Sequence, residues 1–96
     1  MVVEKFFVSR GYIEASSGHA HEWVFDKPDP KGRSDKALRV RLRLRIQSTG
    51  AWTLAGTPLG VENWHASLES ETVLLQGANQ VQGFLDEIKR RVESGR

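Results

Sequence analysis

Residues 38–46 alternate without a break: Leu38, Val40, Leu42, Leu44 and Ile46 are apolar, and Arg39, Arg41, Arg43 and Arg45 stand between them. A strand sends successive side chains to opposite faces, so this run has one apolar face and one guanidinium face. On a helix, with 3.6 residues per turn, the same arginines would scatter round the circumference. Period two over nine residues therefore predicts a half-buried strand. Such a strand belongs in an antiparallel sheet, which needs only one covered side.

The cover is supplied near the C-terminus. Val81, Phe84, Leu85, Ile88 and Val92 fall at helical spacing and form one apolar stripe. Asn79 and Gln82 have the spacing of a capping box. Asp86 with Arg90, and Glu87 with Arg91, are i,i+4 pairs, and Lys89, Arg90 and Arg91 suit the negative end of the macrodipole. Gly83 interrupts the stripe and would let the helix approach the sheet closely.

The remaining segments read as strands and loops. Residues 2–13 are rich in Val, Phe and Tyr and read as a strand bent at Gly11. Residues 21–26 form a short second strand, and residues 27–36, with Pro28, Pro30 and Gly32 among charges, form a solvated connection. After a turn at Ser48, Thr49 and Gly50, residues 51–55 return with Trp52 and Leu54 inward. Residues 56–63 read as a loop because of Pro58 and two glycines, and residues 66–76 as a last strand. The expected fold is α+β, a four- to five-stranded antiparallel sheet with a C-terminal α-helix packed on one face, in one domain spanning residues 1–96.

Composition excludes several function classes. The chain has no cysteine, so disulfides and thiolate metal sites are excluded. Residues 1–10 carry Glu4, Lys5 and Arg10, so no signal-peptide core is expected, and no apolar run is long enough to span a membrane. A cytoplasmic location is the expectation. No G-x-S-x-G, phosphate-cradling glycine loop or H-E-x-x-H is present, so catalysis, catalytic residues and cofactors are not expected. His19 and His21 are two apart but lack a third ligand at an established spacing, and no metal site is expected.

Charge is the informative remainder. Fourteen basic and twelve acidic residues leave a net +2, but eight of the basic ones crowd between Lys27 and Arg45, opposed there only by Asp29 and Asp35. Alternate strand residues lie roughly 6.5–7 Å apart, so the four arginines form a row about 20 Å long. Guanidiniums are planar, permanently charged donors matched to phosphate and carboxylate, and such a row requires anions opposite. Two sources are open. Within the chain, Glu69 with Glu71, and Glu22 with Asp26, each share a strand face and could neutralise the row. Outside it, a polyanion could do so, and nucleic acid is the first choice.

On the external reading, Arg39, Arg41, Arg43 and Arg45 contact phosphates while Lys31, Arg33 and Lys36 steer from the loop. Trp64, in a loop beside His65, is the candidate for base stacking, whereas Trp23, Trp52 and Phe25 read as core. The alternative is a small interaction or inhibitor protein, of the immunity or phage accessory kind, docking on an acidic protein. Exposed edge strands would also allow a homodimer.

Short segments in order carry a resemblance: Lys5-Phe6-Phe7-Val8, Ala37-Leu38-Arg39-Val40-Arg41, the run from Trp52 to Pro58, and Leu68-Glu69-Ser70-Glu71. Together they resemble the first half of a CYTH, or triphosphate tunnel, domain. The resemblance implies antiparallel strands whose inward Lys5, Arg39, Arg41, Glu69 and Glu71 face a phosphate site, closed by a second copy. Met1, Val3 and Ala55 stand where that family carries two glutamates and a lysine.

Overall fold

The computed structural model describes residues 2–15, 17–29, 31–32 and 34–94. Five strands form one antiparallel sheet in the order β1-β2-β3-β4-β5: β1 Ile13–Ala15, β2 Glu22–Pro28, β3 Lys36–Ile46, β4 Trp52–Glu62 and β5 Ser70–Val73. Helix α1 (Val2–Val8) precedes the sheet; a 3₁₀ turn (Leu75–Gly77) and helix α2 (Ala78–Ser94) follow it. The chain is thus an α+β meander with a C-terminal helix packed on the sheet.

The expected strand over residues 2–13 is a helix for most of its length. Val3, Phe6 and Phe7 are spaced three and four apart, fall on one side of α1, and are buried. The helix stops in a Schellman motif: Gly11 takes φ +87°, its N–H donates to Val8 O, and Tyr12 N–H donates to Phe7 O. Gly11 is therefore a helix stop and not a strand bend. The accompanying apolar contact is Tyr12 set edge-on to Phe7, ring centroids 5.3 Å apart.

Both helices cover the same face of the sheet. The core joins Val3, Phe6, Phe7 and Tyr12 to Phe25, Val40 and Leu42 of the sheet and Val81, Leu85 and Ile88 of α2. Phe7 stacks on Phe25 at 4.6 Å, and Arg10 lies 3.6 Å over the Phe6 ring with a 3.2 Å ion pair to Glu87 of α2. The two-helix cover was not expected from the sequence; the even face of β3 as the buried face was.

Strand β4 runs through the segment expected to be a loop. It pairs with β3 from Lys36↔Glu62 to Ile46↔Trp52. Its glycines serve packing: a Cβ on Gly56 would stand 2.7 Å from Val81 Cγ1 and 3.0 Å from Leu42 Cδ2. The close approach of α2 to the sheet is made there, since a Cβ on Gly83 would meet nothing within 4 Å. The helix begins at Ala78, which places Asn79 inside its first turn. Arg91 pairs with Glu87 at 3.0 Å as expected, while Asp86 accepts a 3.0 Å hydrogen bond from Gln82. The expected strand over residues 66–76 shrinks to β5, because residues 63–69 turn, with Asn63 and His65 at positive φ, and residues 75–77 coil.

Candidate functional site

Register places the ladder on the sheet face away from the helices and puts acids beside it. Asp26 pairs with Arg39, Val24 with Arg41 and Glu22 with Arg43, so alternation carries both β2 acids to the guanidinium side. From the other edge, β5 brings Glu71 over the sheet, and the turn before it brings Glu69.

The four arginines are not equivalent. Arg39 is buried and makes a fork with Asp26, Nε to Oδ1 at 2.7 Å and Nη2 to Oδ2 at 2.9 Å. Its remaining donors reach Glu71 at 2.8 Å and Glu69 at 3.0 Å. Arg41 forms a second fork with Glu71, at 3.0 and 2.7 Å, and lies 3.8 Å from Glu22. Arg43 meets one acid among the described residues, Glu22 at 3.0 Å. Arg45 is exposed and meets no acid among the described residues. The acids in contact with the ladder are the four that the sequence offered as internal counterions.

The closed end is sealed as well as neutralised. The Trp64 indole N–H donates to Asp26 Oδ2 at 3.0 Å, and Glu69 Oε2 accepts His65 N–H at 2.9 Å. Residues 63–73 therefore strap the ladder at Arg39, and Val24, Ala37, Leu59 and Val61 are buried on this face. Burial opposes charge, but every buried side-chain N or O among the described residues has a partner. The Asp26 hydrogen bonds hold the Arg39 guanidinium above its ordinary value against that burial. The Arg41 fork, helped by Arg39, holds the Glu71 carboxyl below the usual carboxylate range.

Past β5 the face opens. A trough of about 470 Å³ has Arg41, Arg43 and Arg45 as one wall, Ala55 and Thr57 as floor and Val73 on the far side. The loop cations expected to steer ligands lie elsewhere. Lys36 starts β3, nine residues and so about 30 Å along the strand from Arg45. It also pairs with Glu62 at 3.6 Å. Lys31 sits in the same distant loop, where its backbone N–H donates to Asp29. Arg33 lies outside the described residues. Trp64 is half-buried, tied to Asp26 and stacked on His65 at 4.0 Å, so it is a structural anchor here and not an open platform. Lys5, which the tunnel resemblance directs toward phosphate, is on helix α1 with the helix-covered side of the sheet, while Arg39, Arg41, Glu69 and Glu71 bind each other.

The opposite face carries a feature the sequence reading missed. Beneath the β3–β4 hairpin is an apolar groove of about 310 Å³, bounded by Val3, Trp23, Leu44, Trp52, Ile88 and Val92. Trp23 and Trp52 are half-buried there, while Phe25 alone of the three expected core aromatics is fully buried. The period-two spacing did place both tryptophans on this side; the groove needs α1, which that spacing does not reveal. Among the described residues, no helix is long and apolar enough to cross a membrane. No protein-family model, curated protein or solved structure matches the chain.

Proposed function

We propose that the chain is a non-enzymatic binding module that holds a polyanion, in the first instance single-stranded nucleic acid, along the trough beside Arg41, Arg43 and Arg45. The observation that carries this reading is the uneven neutralisation of the ladder. Among the described residues, acids are spent on Arg39 and Arg41, one contact is left for Arg43, and none reaches Arg45. Arg43, with its single acid, and Arg45 border an open trough that has Ala55 and Thr57 on its floor and Leu59 and Glu71 at its closed end. The ligand-facing set is thus narrower than the whole ladder: Arg43 and Arg45, with Arg41 at its limit. A cytoplasmic setting belongs to the same reading; self-association through an edge strand stands beside it as a separate proposal.

The test is fluorescence anisotropy with short single-stranded oligonucleotides across a salt series. Binding at low salt should fall with a logarithmic slope of about 0.7 per phosphate neutralised. Replacing Arg43 and Arg45 with Ala should remove it. A chain that binds no oligonucleotide at low salt is not this module.

The groove under Trp23 and Trp52 favours a second reading, docking on an acidic protein that also inserts an apolar side chain. A nuclease-resistant pull-down of one acidic protein would select it over the first.

A further inference from the structure

Among the described residues, nothing pairs with the outer edge of β4 over residues 52–57. Leu44 N–H donates to His21 O, so the even-numbered residues of β3 direct their backbone groups toward β2 and the odd-numbered ones toward β4. Arg41, Arg43 and Arg45 face Thr57, Ala55 and Thr53, which therefore bond inward. The backbone groups of Trp52, Leu54 and Gly56 turn outward, as does the Pro58 carbonyl, which accepts Leu74 N–H at 3.0 Å. Strand β5 occupies this edge only from Leu59 to Glu62. Among the described residues, nothing bonds the outward groups of Trp52, Leu54 and Gly56.

This edge also lacks the usual protection. Exposed edges are blunted by charge, proline or shortness. Strand β1, at the other edge, is three residues long with Glu14 at its centre. Residues 52–57 are Trp, Thr, Leu, Ala, Gly and Thr, with no charge and no proline.

We propose that this edge pairs with the same edge of a second copy, antiparallel about Leu54, to make one continuous sheet. Three features make the edge complementary to itself. Leu54 meets Leu54, and Trp52 meets Gly56 of the second copy, so each pair exchanges both backbone hydrogen bonds. Trp52 then stands opposite a position that has no side chain, so this pair sets no two large side chains against each other; the space over Gly56 is already filled by Val81 and Leu42 of its own copy. The depression between this edge and α2 is bordered by Gln82, Asp86 and Lys89. Antiparallel approach of two α2 helices brings Lys89 of each copy toward the Gln82 and Asp86 pair of the other.

A two-fold axis normal to the sheet keeps both arginine faces on the same side. Arg43 and Arg45 of the two copies then line opposite walls of one channel, separated by three strand spacings, about 14 Å. Its floor is Thr53, Ala55 and Thr57 from each β4. That channel, and its use, rests on the polyanion reading; the pairing does not.

Sedimentation velocity of the full chain over a range of concentrations should show a monomer–dimer equilibrium. Thr53→Lys with Ala55→Lys places lysines opposite one another across the joint, on exposed positions, and should weaken association by about tenfold or more with an unchanged circular dichroism spectrum. Leu54→Cys puts one cysteine in a chain that has none. At the roughly 5.5 Å Cα separation of a hydrogen-bonded pair it should oxidise to a cross-linked dimer. A strictly monomeric protein, a dimer indifferent to the double lysine, or a Leu54→Cys chain that stays uncross-linked each overturns the pairing. Oligonucleotide binding by a strict monomer would overturn the pairing alone. A cross-linked dimer that binds no oligonucleotide would support the pairing and sink only the polyanion reading.

Discussion

Arg39 and Arg45 lie on one face of one strand, yet they have opposite fates. Arg39 is enclosed by Asp26, Glu69 and Glu71 and covered by the segment that carries Trp64. Arg45 lies past the last β2 register pair, Glu22↔Arg43, and beyond the reach of β5. The difference is in the neighbours. Where three strands and a strap meet, the cation becomes an internal tie; where β3 and β4 run on alone, it stays available. A periodic row of charge therefore states which face it occupies and leaves its purpose to the strands beside it.

The contrast can be broken most severely at its closed end. Arg39→Ala leaves Asp26 buried without its fork and Glu69 and Glu71 without a shared donor, and should cost about 3–5 kcal/mol in a urea titration. A loss near zero would mean that Arg39 is as free as Arg45. Glu71→Gln comes next. It removes the Arg41 fork and one Arg39 contact from a partly exposed site, for about 1 kcal/mol. It should also free Arg41 and steepen the salt dependence of oligonucleotide binding; a weaker slope would place the ligand elsewhere.

Acidity sharpens the same point. Glu71 titrates below its ordinary value of 4.5, so its contribution is present above that pH and is lost as pH falls through the lower folded value. The stability gap between the wild-type chain and Glu71→Gln should hold constant near neutrality and close on acidification. A gap that widens toward low pH would contradict the assignment. The smallest expected effect on folding is at the open end. Arg45→Ala should change stability by no more than about 0.5 kcal/mol, yet lower the logarithmic salt slope by about one unit or less.

Some of this was fixed by local chemistry. Period-two alternation in residues 38–46 follows from the backbone of a strand, and the stripe through Val81, Leu85 and Ile88 from the pitch of a helix, so both were legible before any tertiary contact was known. The antiparallel α+β class and the buried even face of β3 follow from them. Glu22, Asp26 and Glu71 could be placed on the ladder's side from strand parity, whereas Glu69 reaches Arg39 from the turn before β5, where parity does not apply.

Tertiary structure decided the rest. Val2–Val8 has the β-branched and aromatic content of a strand, and it is helical because Phe6 and Phe7 are buried only when set on one side, against Phe84 and Phe25. Gly56, Pro58 and Gly60 look like loop residues, but eleven residues of β3 need a partner and β4 supplies it throughout. Glu71 is 32 residues from Arg39. Which arginine it reaches depends on where β5 ends, and a charge acts on whatever lies within a few ångströms in space, a distance that position along the chain does not encode.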